Sequence, residues 1–515
     1  MHLPVRVGAV LLAAALLLAG CDAPSQQAGE EIRISSVPGV AIDRPQFPDP
    51  QVSVPGMVDG LAGDGLTGYL AQPVTWTACG TLECAEVLAP LDYADPSARA
   101  VTLSMARRPA TKKPRLGTLF VNPGGPGGSG KSLVNSFDAQ GLEQYDIVGW
   151  DPRGTGDSTP VVCFGASQTD ALNNLDASPD TEAERLALIQ GAYEFGKSCW
   201  EHSGVLLEHI STIETARDLD LLRRLLGDSE LHYLGYSYGT QIGATYAELF
   251  PQHTGRLVLD AAVNITDNDD VIQAMGFDLA LGNFASWCAE NSCSLGGTKQ
   301  AVLDAVTGLF DRLDAAPLRA GARTLTQSLA VTGVAAMLYG GTDAWPTLVS
   351  MILAAQNGNG KGLLIAADSL NSRDDSGSYG SLFYSLPAIN CLDTDTESGV
   401  LDADGVWSDD ERKAPIFGTY FGPAYTCALW PVRPSLQLHI RGAGAKPIVV
   451  IGGTGDNATP YQQAVDMAKQ LDSGVLVTYV GEGHGSYGGK SDCVDQIVVD
   501  YLVEGTVPKN GVRCS

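Results

Sequence analysis

Residues 231–250 read LHYLGYSYGTQIGATYAELF. An apolar run from Leu231 to Leu234 passes through Gly235-Tyr236-Ser237-Tyr238-Gly239 into a stretch of helical character. At a strand-to-helix junction, glycines on either side of a serine let the chain reverse without a blocking side chain and leave the hydroxyl exposed above a helix N-terminus. Ser237 is therefore the candidate nucleophile. GxSxG alone also arises by chance, so its surroundings decide its meaning.

Upstream, CAEVLAPLDY (84–93), AVTLSMARRP (100–109), LGTLFVNPGG (116–125) and YDIVGWDPRG (145–154) are apolar runs closed by Gly, Pro or Asp, as strands are. The stretch STIETARDLDLLRRLLG (211–227) predicts a helix, with Ser211 and Glu214 as a capping box, apolar residues recurring from Ile213 to Leu226, and Gly227 at the stop. RLVLDAAV (256–263) reads as the next strand. Strand alternating with helix implies a mostly parallel sheet covered by helices on both faces, the α/β class.

A serine hydroxyl needs a base, and the base needs an acid to fix its tautomer. In a GxSxG fold of this kind the partners follow in the order serine, acid, histidine. GAKPIVVIGGTGDNATPYQQAV carries Asp456 in the loop after the apolar run Ile448 to Ile451, and GVLVTYVGEGHGSYG carries His484 in a glycine-rich loop after another. The other histidines lie in the leader (His2) or lack a glycine loop at a strand end (His202, His209, His232, His253, His439). Asp260, closing LVLD one strand earlier, is the rival for the acid. Backbone donors for an oxyanion are expected from Tyr238, after the serine, and from Gly125 in LFVNPGGPGGSG (119–130). Gly130-Lys131-Ser132 is followed by no nucleotide-type context, so it is not read as a phosphate-binding loop.

Composition narrows the class further. The chain has 515 residues, 44% of them hydrophobic, enough for a large core and two domain-sized units. A formal charge of −27, from 59 acidic and 32 basic residues, excludes a phosphate-binding surface, and no nucleic-acid partner is expected. Residues 1–20 form a secretory signal: a short basic start, an apolar run from Val7 to Leu18, then small residues. Leu18-Ala19-Gly20-Cys21 is similar to a bacterial lipobox, so Cys21 is the expected lipidation site and the mature protein is expected outside the cytoplasm, anchored to the membrane. Ten of the eleven cysteines remain, an even number in an oxidising compartment. Local pairing in sequence order gives Cys79–Cys84, Cys163–Cys199, Cys288–Cys293, Cys391–Cys427 and Cys493–Cys514, with connectivity left open. No metal site and no cofactor is expected, since the histidines are scattered and no pair of CxxC motifs exists.

Pro123-Gly124-Gly125-Pro126-Gly127-Gly128, Gly149-Trp150-Asp151-Pro152-Arg153-Gly154 and GYSYG together resemble the proline iminopeptidase and tripeptidyl aminopeptidase branch of the α/β-hydrolases. The resemblance covers roughly residues 75–515. It implies an α/β-hydrolase fold and a serine exopeptidase that takes peptide N-termini as substrate; iminopeptidases often begin the oxyanion motif with histidine, where this chain has Pro123. Far more chain separates Ser237 from Asp456 than one strand and two helices require, so a largely helical cap is expected. The expected order is signal 1–20, anchor cysteine and tether 21–70, hydrolase core 71–263, cap 264–440, and core again 441–515. An exopeptidase must also hold the substrate amine, about 10 Å from the scissile carbonyl of an extended tripeptide, and Asp393 in AINCLDTDTE (388–397) is the cap acid expected there. Two other functions fit the same residues: an esterase or lipase using the same triad, and a lipoprotein that binds peptides or cell-wall material without turnover.

Overall fold

The computed structural model describes residues 45–515 except 51, 267, 269 and 395–398, so the signal segment and Cys21 lie outside the described residues. The strands are β1 (Met57–Asp59), β2 (Thr77–Cys79), β3 (Leu82–Pro90), β4 (Arg99–Arg108), β5 (Gly117–Asn122), β6 (Tyr145–Trp150), β7 (Leu231–Tyr236), β8 (Thr254–Asp260), β9 (Leu318–Ala320), β10 (Arg323–Leu325), β11 (Ile448–Gly455), β12 (Gly474–Glu482) and β13 (Val512–Cys514). The main sheet runs β13-β12-β11-β8-β7-β5-β6-β4-β3-β2, with β1 on β4; β9 and β10 form a separate hairpin.

Every pairing from β13 to β6 is parallel, and the remainder are antiparallel. All residues of β5 and β6 are buried, as continuous apolar runs must be when helices cover both faces. From β5 the chain first moves to β6 on one side and then returns to β7 on the other. That reversal falls at the carboxyl ends of β5 and β7, the position where such sheets hold ligands. This is an α/β-hydrolase sheet, and Ser237 follows β7 directly.

Two expectations need correction. The tether expected to reach residue 70 is shorter: Val54 and Met57 are buried, Met57–Asp59 pairs with β4, and buried Tyr69 donates its hydroxyl to Pro96 O at 2.7 Å. A three-residue strand is too short to show alternation, which is why the sequence reads as linker there. The stretch expected as one cap, 264–440, divides between two cores. Residues from Ala274 to Leu370, joined by Ala414 and Phe417, pack around their own apolar cluster. Tyr384, Ile389, Leu392, Tyr425 and Trp430 instead join the core that backs the sheet, alongside Phe195 and Cys199.

The five cysteine pairs are bonded as sequence order suggests. Cys163–Cys199 and Cys391–Cys427 each span 36 residues, whereas Cys79–Cys84 and Cys288–Cys293 span 5. Loop-closure entropy then assigns about 4 kcal/mol to each long bridge and about 2 kcal/mol to each short one. Replacing Cys391 and Cys427 by alanine is accordingly expected to lower the denaturation midpoint more than replacing Cys79 and Cys84. Equal shifts in a denaturant titration would contradict that ranking.

Candidate active site

Ser237 stands between β7 and the helix Tyr238–Leu249 with φ 55° and ψ −127°. The positive φ thus falls on the serine itself, at a cost of about 1–3 kcal/mol, and the two glycines serve close approach. A methyl at 235 would lie 2.5 Å from Gly239 O, and one at 239 would lie 3.0 Å from both Asn122 O and Asn122 Oδ1. The elbow is fixed from outside: Ser237 N–H donates to Asp260 O at 3.0 Å, while Thr240 N–H and Oγ1 donate to Ser237 O at 2.8 and 2.6 Å. Ser237 is only 6% exposed, where the sequence suggested an open hydroxyl, because the segment between β8 and β11 covers this end of the sheet.

His484 and Asp456 come together from the ends of β12 and β11. Nδ1 of His484 lies 2.8 and 3.0 Å from the Asp456 carboxylate oxygens, and both residues are buried. Ala458 N–H and Thr459 N–H each donate to Asp456 Oδ1 at 2.9 Å. Burial alone would push this carboxyl up, but the imidazole beside it and those two amides hold it below the ordinary carboxylate value. An ionised Asp456 puts the proton on Nδ1 and leaves Nε2 as the acceptor. Nε2 is buried without a hydrogen-bond partner among the described residues.

Asp260 ties the nucleophile to this base without contacting the imidazole. Its backbone carbonyl takes Ser237 N–H, and its Oδ2 takes Ser486 N–H at 2.8 Å and Tyr487 N–H at 2.7 Å. Burial pushes the Asp260 carboxyl up, against the pull of those amides and of Lys490. The rival acid of the sequence therefore braces the histidine loop. Lys490 Nζ donates to His484 O at 2.9 Å.

The glycine loop after β5 lies directly on the elbow. Gly124 has φ +87° and Gly125 φ +117°, and a methyl at 124 would meet Tyr236 O at 2.4 Å and Tyr238 N at 2.9 Å. Gly124 N–H is held by Asn122 Oδ1 at 2.8 Å, and Gly128 N–H closes the loop on Gly124 O. Asp393 has a different surrounding from the one expected. Its carboxylate meets the start of the helix Thr212–Leu225, accepting from Thr212 N–H and Oγ1–H, and burial pushes it up to about 7.

Sequence reasoning missed the groups that reach the histidine loop from the inserted segment. His484 N–H donates to Tyr339 O at 3.1 Å, and the Tyr339 ring stands edge-on to the imidazole with centroids 5.4 Å apart. Asn283 Nδ2 donates to both Glu482 carboxylate oxygens at 3.0 and 3.1 Å. The first is a backbone contact, which leaves no mark on residue type. Thr459 Oγ1, 3.4 Å from Nδ1, completes the surround.

Residues 414–514 match the family described as TAP-like protein. Serine protease Hip1 of Mycobacterium tuberculosis is 36% identical over 484 residues, covering 86% of this chain and 91% of that protein. Tripeptidyl aminopeptidase of Streptomyces lividans is 32% identical over 462 residues, covering 85% of each. Carboxylesterase B of Mycobacterium tuberculosis is 33% identical over 477 residues, covering 87% of this chain and 91% of its own length.

Proposed function

Because the chain belongs to the α/β-hydrolase family that includes serine protease Hip1 and the Streptomyces tripeptidyl aminopeptidase, we propose that it is a serine exopeptidase releasing short peptides, tripeptides foremost, from free N-termini. The observation that carries the chemistry is the buried Asp456–His484 hydrogen bond, with Ser237 on a strained strand-to-helix elbow braced through Asp260 to the same loop. Ser237 Oγ attacks the scissile carbonyl carbon while His484 Nε2 takes its proton. The tetrahedral oxyanion is held by Tyr238 N–H and, since Asn122 occupies the Gly124 amide, by Gly125 N–H. The imidazolium, stabilised by Asp456, returns the proton to the leaving amine as the C–N bond breaks. Water then attacks the acyl-enzyme, and His484 again serves as base.

The signal segment and Cys21 extend this reading to an extracytoplasmic, lipid-anchored enzyme, for which five disulfides are suited. No helix among the described residues is long and apolar enough to cross a membrane. The carboxylesterase relative favours one second reading, an esterase with the same triad. A panel of a tripeptide anilide with free amine, its N-acetyl form, single-residue anilides and a short-chain ester separates these. The exopeptidase reading expects the free-amine tripeptide to be cleaved far faster than the acetylated one. Ester cleavage alone would establish the esterase, and cleavage of none would leave a binding lipoprotein.

A further inference from the structure

The helix Ser381–Asp393 belongs to the inserted segment, yet it touches the elbow's surroundings at both ends. At its start, Leu382 lies against the oxyanion loop: a methyl at Gly125 would meet Leu382 Cδ1 at 2.9 Å, and one at Gly127 would meet Ser385 Cβ at 2.8 Å. Ser381 Oγ accepts Gly156 N–H at 2.7 Å, and Ser385 Oγ donates to Gly154 O, so this end is anchored to the loop after β6. At its far end, Asp393 Oδ1 accepts Thr212 N–H at 3.0 Å and Oδ2 accepts Thr212 Oγ1–H at 2.5 Å. Thr212 Oγ1 in turn contacts Tyr238 OH.

The proton directions follow from chemistry. When Asp393 is ionised, above the value of about 7 to which burial pushes it, its carboxylate only accepts, so the Thr212 hydroxyl proton is committed to Asp393 and Tyr238 must donate its own to Thr212. Tyr238 is 5% exposed and Thr212 3%, so no solvent competes for either hydroxyl. Tyr238 is the first residue of its helix and follows the nucleophile, so holding its ring restrains the backbone that carries its N–H. The far end of the clamp is itself held: Cys391 is bonded to Cys427, and Leu392 O accepts Ser435 N–H at 2.6 Å.

We propose that the helix Ser381–Asp393 positions both halves of the oxyanion hole, Gly125 through Leu382 and Tyr238 through the chain Asp393–Thr212–Tyr238. Asp393 is then a positioning residue for the reaction rather than the anchor of the substrate amine. The proposal rests on the serine-hydrolase reading above. It asks nothing about which acyl group is cleaved.

The test uses the intact chain, with Ser237 titrated by a fluorophosphonate so that rates are expressed per active site. Asp393→Asn places an amide opposite Thr212 Oγ1, Tyr238→Phe removes the hydroxyl, and Thr212→Ser keeps the chain that Thr212→Val breaks. Removing an oxyanion donor outright costs about 10²–10³ in turnover, so a donor that remains but tilts is expected to cost about 10-fold. Asp393→Asn, Tyr238→Phe and Thr212→Val should each lower kcat by that factor on the free-amine anilide, the acetylated anilide and the ester, with KM unchanged. The Asp393→Asn/Tyr238→Phe double variant should be no worse than either single, Thr212→Ser should retain turnover, and affinity for a peptide boronate should fall in step with kcat. A KM increase confined to free-amine substrates would overturn the clamp and return Asp393 to the amine. Additive losses with unchanged boronate affinity would also overturn it. If the parent chain cleaves the ester and no peptide, the peptidase reading fails while the ester arm still decides the clamp.

Discussion

Ser237→Ala is expected to lose about six orders of magnitude in turnover while the protein folds and denatures as before. The loss is large because base, acid and oxyanion donors act on a proton and a charge that exist only when the hydroxyl attacks. Without Oγ, the Asp456–His484 pair has nothing to deprotonate. Stability should hold, since alanine meets the same positive φ that serine already bears and no core methylene is removed. The structure shows the elbow held by main-chain bonds, to Asp260 O and from Thr240 N–H, and these survive the substitution. The check pairs a tripeptide anilide assay with fluorophosphonate labelling and a thermal melt. Turnover near that of the parent would remove Ser237 from the mechanism.

Asp456→Asn is expected to cost about 10⁴ in turnover, and Asp260→Asn far less. The asymmetry comes from what each carboxylate holds. Asp456 receives Nδ1 of His484; an amide there can present N–H instead, driving the ring proton to Nε2 and removing the base. Asp260 receives two backbone amides, from Ser486 and Tyr487, which a neutral carbonyl oxygen can still accept. The two changes also differ in sign on stability at neutral pH. Asp456 sits below its ordinary value, so its charge contributes stability above the unfolded carboxylate pKa, and that contribution is lost as pH falls. Asp260 sits above its ordinary value, so its ionisation opposes folding at pH above the unfolded pKa. Asp260→Asn is therefore expected to melt no lower than the parent at pH 7. Turnover of both variants on one ester decides the assignment, and the reverse ranking would give the acid's role to Asp260.

The elements nearest the nucleophile were legible because short-range rules govern them. The run Leu231 to Leu234 forms β7, and Ser211 caps its helix by accepting Glu214 N–H. Asp456 and His484, far apart from Ser237 in sequence, were reachable through the fixed order of strands in this fold. Other features depend on contacts between distant segments. Nothing in residue type places the positive φ on Ser237 rather than Gly235, because the crowding comes from Gly239 O and the Tyr233 ring. Asp393 was singled out as a cap acid, but its partner Thr212 lies 181 positions earlier, beyond any local pattern. The Tyr339 carbonyl was invisible for a simpler reason: every residue has one.

That carbonyl limits how proteins of this design can diversify. Where an insertion merely roofs a cleft, recombination can replace it whole, and a new roof brings new specificity to an unchanged catalytic centre. Here the inserted segment supplies the acceptor for His484 N–H and, through Asn283, the partner of Glu482 two residues before it. A replacement segment would have to offer both partners again, or the histidine loop would lose them along with the roof. The roof and the loop that carries the base therefore share their contacts, and substitutions in the segment that spare Tyr339 O and Asn283 leave that loop's partners in place.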